Sequence, residues 1–239
     1  MISLLIRKLE WRDIISDEEK QALEDAAGRV FEVQADDDMV RDGDRPNSST
    51  LLLEGFAARY KLLSNGKRQI TAIHVPGDFI DLHSFLLKTM DHSIVALTPC
   101  RICLFPHDGL RDITGRMPHL GRLLWLNTLI DGAIHREWLV AMGRRPALSQ
   151  IAHLICELFL RLQIVGLTDD YSFRLPLTQA ELGDALGLST VHVNRTIQEL
   201  RANGLVAWRG DMIHIEDWPR LQQFAEFDPT FLNLENEPR

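Results

Sequence analysis

Between residues 69 and 75 the side chains alternate, with Ile70, Ala72 and His74 on one face and Thr71, Ile73 and Val75 on the other. That period of two predicts a strand. Upstream, Tyr60-Lys61-Leu62-Leu63 leads into Asn65-Gly66, which predicts a hairpin, because tight primed turns need positive φ and Asn-Gly supplies it cheaply. Pro76-Gly77-Asp78 closes the strand, and shorter runs of the same type recur at 51–53, 94–97 and 101–105. Preceded by one helix around 17–27, the region 30–105 reads as a small antiparallel barrel or sandwich.

At Pro118 the period changes. Leu120, Leu123, Leu124, Ile130, Ile134, Trp138 and Ala141 recur at helical spacing, interrupted by Asn127 and Asp131, with Pro118 at the start and Gly143 where a C-cap glycine belongs. One helix of about seven turns follows. Its stripe, taken as Leu120, Leu123, Leu124, Asn127, Ile130, Ile134 and Trp138, is long enough for a dimer seam; packing on the barrel of the same chain is the alternative. Arg144-Arg145-Pro146 breaks the pattern and marks a domain boundary, after which Ile151, Leu154, Ile155, Leu158, Phe159 and Leu162 form a second helix up to Gly166.

The next 40 residues or so carry the chemistry. Thr178-Gln179-Ala180-Glu181 is a capping box that starts a helix, and Gly187 ends it. Ser189 caps a second helix whose inner side is Val193, Ile197 and Leu200 and whose outer side is Val191, Arg195 and Gln198, with His192 and Asn194 on the flanks. Two short helices, a tight turn and a polar outer face describe a helix-turn-helix whose second helix enters the major groove. Val191, His192, Asn194 and Arg195 are the expected base readers, led by the Arg195 fork for guanine. Thr178, Gln179, Ser189, Thr190 and Arg209 are expected on the DNA backbone, where helix N-termini concentrate donors. The runs at 205–208 and 212–215 flank Arg209-Gly210-Asp211 as a two-stranded wing. A generic helical hairpin can mimic any one of these signals, but not their order.

Charge argues against this at first. The 239 residues carry a net −8, whereas phosphate binding favours a basic footprint. Much of the acid, however, lies in Asp36-Asp37-Asp38, Glu18-Glu19 and the stretch from Glu226 onward. Three cysteines, Cys100, Cys103 and Cys156, are too few for a disulfide framework and suit a reducing cytoplasm. No apolar run approaches the roughly 20 residues that span a bilayer, and the first 11 residues lack a cleavage site, so neither a membrane nor secretion is expected. No Ser-His-Asp order, phosphate loop, HExxH pair or dinucleotide fingerprint appears, and an enzyme is not expected.

Through Leu177-Thr-Gln-Ala-Glu-Leu-Gly-Asp-Ala-Leu-Gly-Leu-Ser-Thr-Val-His-Val-Asn-Arg195 and Gly204-Leu-Val, the sequence resembles the Crp/Fnr family of bacterial transcriptional regulators. The resemblance implies an α+β chain: a double-stranded β-roll of the cyclic-nucleotide-binding, jelly-roll type over 1–116, a dimerisation helix over 117–143, a winged helix-turn-helix over 144–220 and a C-terminal tail over 221–239. It further implies a homodimer on a pseudo-palindromic operator in double-stranded DNA, with RNA polymerase as a partner. Three departures matter. The family's recognition-helix glutamate is replaced by Val191, which changes the expected operator. The family's Gly-Glu and Arg-Ser or Arg-Thr pairs correspond to Asp81-Leu82 and His92-Ser93, which disfavours cyclic AMP. No cysteine precedes Cys100, which disfavours the family's iron–sulfur sensor.

No cofactor or metal is therefore expected. His74, Asp81, His83, His92 and Ser93 remain as a candidate effector pocket, joined by His107 if the imidazoles converge. Cys100 and Cys103 have the spacing of half a metal site, but three residues apart on a strand they point to opposite faces. The competing function is a small-molecule- or metal-sensing module whose helix-turn-helix contacts protein; salt-dependent duplex binding separates the two.

Overall fold

The computed structural model describes residues 1 to 239, and the chain divides into two compact units. The first comprises Met1–Lys61, Ala72–Gly132 and Asn233–Arg239; the second comprises Leu62–Thr71 and Ala133–Leu232.

Two short helices, α1 (Ser3–Glu10) and α2 (Asp17–Ala26), precede the strands β1 (Val30–Val33), β2 (Asp38–Val40), β3 (Ser48–Glu54), β4 (Ala57–Leu62) and β5 (Arg68–His74). After α3 (Ser84–Leu87) come β6 (Ser93–Ala96), β7 (Cys100–Pro106) and α4 (His107–Arg116). The strands form two sheets, β1-β7-β3 and β2-β6-β4-β5. Leu52, Ala57, Ile80, Ile94, Ala96 and Ile102 fill the space between the sheets. Leu5, Leu23, Leu51, Phe105 and Leu110 join the three-stranded sheet to the helices in a second core. Central strand β7 is thus buried on both faces, which is why 101–105 reads as a nearly continuous apolar run. Cys100 lies in one core and Cys103 in the other, so this pair cannot share a metal ion. All three thiols are free and buried, and burial pushes the Cys156 thiol strongly up.

Two expected details differ. The Asn65-Gly66 hairpin is not a two-residue primed turn: Leu63 N–H donates to Lys67 O, and only Gly66 has positive φ, at 81°. The loop therefore holds three residues, and Asn65 instead accepts the Lys67 N–H through its side chain. Gly143 is not a left-handed cap, because α5 (Pro118–Arg144) runs past it and stops at Pro146, which cannot continue a helix.

The expected dimer seam is corrected more substantially. Leu120, Leu123 and Leu124 are buried in the first unit's helical core. Ile130 and Ile134 are 7% exposed and Trp138 4%, all within the chain itself. Trp138 Nε1–H donates to the carboxylate of Glu157 at 2.8 Å, and Asn127 turns its amide back to Leu123 O. Six of the seven stripe residues are thus buried within the chain, Asn127 being half-buried, and they leave a second copy little to cover. The apolar side chains that α5 leaves exposed are Trp125, Leu129, Leu139 and Val140.

The second unit continues with α6 (Ala147–Ile164), β8 (Thr168–Asp169), β9 (Ser172–Arg174), α7 (Gln179–Leu186), α8 (Thr190–Ala202), β10 (Val206–Arg209), β11 (Met212–Ile215) and α9 (Trp218–Ala225). By length and composition α6 could cross a bilayer, but it is the core helix of this unit, 72% buried and packed by α8 and α9. The expected tail is built as structure. Leu221, Ala225, Phe227 and Leu232 are buried, and residues 233–239 return to the first unit. There Trp11 Nε1–H donates to Leu234 O, and Arg239 N–H donates to the Asp13 carboxylate.

Candidate nucleic-acid interface

Helix α7 begins on the expected capping box: Thr178 Oγ1 accepts Glu181 N–H, and the Glu181 carboxylate accepts Thr178 N–H at 2.7 Å. It ends at Gly187 in the left-handed region, φ 68°. The turn into α8 is closed by a second glycine. A Cβ on Gly183 would lie 2.5 Å from Leu188 O, so only a bare α-carbon lets the turn pack this closely on α7. Ser189 then caps α8 by accepting His192 N–H.

Val193, Thr196 and Leu200 are the buried side of α8. Ile197, expected there, is only half-buried, because the 3-4 spacing from Val193 to Leu200 passes through Thr196. The opposite side is open: Val191 is 81% exposed, and Asn194, Arg195 and Gln198 are exposed along the same stripe, with His192 half-buried beside them. Arg195 makes no hydrogen bond or ion pair within the chain. Asn194 does: its Nδ2–H donates to Gln179 Oε1 at 3.2 Å, and its Oδ1 accepts Gln198 Nε2–H at 2.9 Å.

The wing forms as expected, with Arg209 opposite Met212 and Gly210 at φ 60° in the turn. Strands β9 and β8 extend it to a four-stranded sheet. At three and two residues they are too short for alternation to register in sequence. Arg209 is exposed at the wing's tip, and with Gln198, Arg201 and Trp208 it lines an open cleft of about 400 Å³.

Thr178 requires a correction as a backbone contact. Its hydroxyl proton is committed to Glu181 Oε2 at 2.8 Å, and a phosphate oxygen needs a donor. Ser189 keeps its hydroxyl proton, since it serves α8 only as an acceptor. The charge objection is also answered differently than by dilution alone. Four carboxylates and three arginines lie within 177–215, so the segment is not itself basic. Three of those carboxylates are taken up structurally: Glu181 in the capping box, Asp184 by Arg68 at 2.9 Å and Asp211 by Arg174. Arg195 on the outer face of α8 has no such partner.

The candidate effector residues do not converge as a set. Asp81 is wholly buried and accepts both the N–H and the hydroxyl of Thr50, while burial pushes its carboxyl up to about 7. His74 faces Asp78 at 3.9 Å, Ser93 Oγ accepts Asp42 N–H, and His107 lies with Ser49 and Ser84. Only His83 and His92 meet, with ring centroids 4.9 Å apart. The sequence reading missed their neighbour. Arg59, buried on β4, sends its guanidinium to Asp131 at 3.0 Å, and its charge acts on both imidazoles. Burial, then Arg59, draws His83 down to about 4 and lowers His92 as well. Nothing in the local sequence signals Arg59, because its partners lie on other elements. No three His, Cys, Asp or Glu side chains converge to hold a metal ion.

A two-sheet roll, a long helix and a capped helix-turn-helix with a wing are the parts of a transcription regulator of the DNA-binding class. Residues 30–116 match the family model of the cyclic nucleotide-binding domain, and residues 149–224 match that of the Crp-like helix-turn-helix domain. The chain belongs to the Crp/Fnr family of transcriptional regulators. It is 28% identical over 199 residues to the transcriptional activator protein FnrL of Cereibacter sphaeroides, covering 82% of this chain and 79% of that protein. It is 25% identical over 213 residues to the fumarate and nitrate reduction regulatory protein of Escherichia coli, covering 88% and 84%. Among solved structures, FixK2 from Bradyrhizobium japonicum is similar with a TM-score of 0.75 and 25% identity, covering 83% of this chain and 96% of that one. Its relatives being regulators, the chain is a DNA-binding transcription regulator and not an enzyme.

Proposed function

We propose that the protein acts as a homodimer in the cytoplasm, placing its two α8 helices in successive major grooves of a pseudo-palindromic operator about 34 Å apart. The observation that carries this reading is the exposed, unpartnered Arg195 on the open face of α8. Its fork can donate twice to guanine O6 and N7, worth about 1–3 kcal/mol of discrimination. In this reading Val191, His192 and Asn194 flank it as further base readers, and Gln179, Ser189, Thr190 and Arg209 are the phosphate contacts. With Val191 where the family's glutamate stands, the operator differs from the family's usual site.

A second copy is the partner that suits α5. Trp125, Leu129, Gly132, Arg136, Leu139 and Gly143 follow one another at spacings of four and three, the period of a coiled-coil seam. RNA polymerase is the partner through which a promoter-bound regulator acts. Cyclic AMP is not the signal in this reading. The Asp81 carboxyl is engaged by Thr50, the Arg59 charge by Asp131, and the adjacent imidazoles are held neutral. A cluster is not expected either, since the thiols are buried in separate cores.

Selection of bound sequences from random duplexes tests the reading. It should yield an inverted repeat, and Arg195→Ala should relax base preference more than Thr178→Ala does. Recovery of no enriched duplex at low salt would overturn it.

A further inference from the structure

The amides of Gln179, Asn194 and Gln198 form a continuous relay across the helix-turn-helix, with links of 3.2 and 2.9 Å. We propose that Asn194 reads an adenine, and that Gln179 and Gln198 are positioning residues that fix which end of its amide points which way. This deepens the DNA-binding reading and rests on it.

A side-chain amide has one donor end and one acceptor end. On an exposed helix face such a group can present either order to a base. Here one Nδ2 hydrogen is given to Gln179 Oε1, and one Oδ1 lone pair receives Gln198 Nε2–H. What remains for a ligand is one hydrogen and one lone pair, side by side in the order that these two links set. Turning the Asn194 amide over alone would set oxygen against oxygen at Gln179 and nitrogen against nitrogen at Gln198, so its order changes only when all three amides turn together.

Among the four bases, adenine matches that remaining edge. Its major-groove edge offers the N7 acceptor beside the N6 donor, whereas guanine offers two acceptors, thymine an acceptor with a methyl group, and cytosine a donor. Asn194 lies one turn from Val191 and beside Arg195 on the exposed stripe, so all three reach the same groove. Gln179, at the first position of α7, keeps its Nε2 end for a phosphate, so that it both anchors the reader and touches the backbone.

The test uses the full-length protein and duplexes carrying its selected inverted repeat, with each base pair replaced in turn. Wild type should prefer adenine at one position per half-site by roughly 5- to 150-fold. Asn194→Ala should abolish that preference, and 7-deazaadenine there should weaken wild type but not Asn194→Ala. An acceptor suffices at 179 and a donor at 198. Gln179→Glu and Gln198→Lys should therefore retain the adenine preference, although Glu weakens and Lys strengthens binding to every duplex alike. Gln179→Lys and Gln198→Glu should lose the preference despite the same uniform shifts. Equal preference in all four variants, or the inverted pattern, would overturn the relay. A duplex preference unchanged in Asn194→Ala defeats this inference alone; no enriched duplex for wild type defeats the DNA-binding reading and the relay with it.

Discussion

Buried histidines set the acid response of this protein. His153 is 2% exposed, stacked on Phe231 and edge-on to Phe227, and burial followed by the Arg145 charge draws it down to about 4; His83 is similarly about 4. In the unfolded chain these groups titrate near 6.5. Between about 4 and 6.5 the unfolded state therefore binds more protons than the folded one, so stability is complete above that window and is lost as pH falls through it. Asp81 opposes them: raised to about 7, it favours the folded state at low pH and loses that contribution as pH rises. Thermal unfolding should show a lower Tm at pH 5 than at pH 7, a shallower acid limb in His153→Phe and a steeper one in Asp81→Asn. At the same scale, Glu157 is fully buried and is held by Arg161 at 2.7 Å and by Trp138. Glu157→Ala removes the carboxylate that faces the buried Arg161 charge and should cost about 3–5 kcal/mol in denaturant unfolding.

At the level of elements, the helix-turn-helix is specified by its punctuation. Replacing Thr178 by alanine removes the reciprocal cap and should cost about 1 kcal/mol. Gly183→Ala is harsher, because its methyl meets a backbone oxygen rather than a movable side chain; about 1–3 kcal/mol is expected. The two variants separate in duplex binding. Thr178→Ala should leave base preference intact, whereas Gly183→Ala should weaken binding to all duplexes, since it displaces the turn that sets α8 against α7. Circular dichroism melts alongside fluorescence anisotropy with the selected duplex would read both effects.

For the molecule as a whole, the proposed dimer places its seam on the exposed face of α5. Leu129 and Leu139 are 53% and 68% exposed, which puts large apolar groups in water unless a second copy covers them. The double variant Leu129→Asp, Leu139→Asp should sediment as a monomer whose own fold loses no more than about 1 kcal/mol of stability, because neither side chain is buried in its own chain. Its affinity for the inverted repeat should fall by about 10²–10⁴-fold, since two half-sites no longer bind as one unit. A dimer that persists at low micromolar concentration would refute that face as the seam.

Sequence alone determined what depends on neighbours along the chain. The capping box at Thr178, the cap at Gly187, the wing turn at Gly210 and the long helix from Pro118 are all local hydrogen-bond or φ requirements. The roll was legible too, because alternation reports a half-buried strand. Strands β8 and β9 were not legible, being too short to show a period, and neither were helices α1, α4 and α9, which lack the capping box that opens α2 and α7. Tertiary structure alone decided which face of α5 is satisfied within the chain, that Arg59 neutralises Asp131 beside two imidazoles, and that Gln179 reaches Asn194 across a turn. Each of these joins residues distant in sequence, where spacing carries no information and only the packed chain brings donor to acceptor.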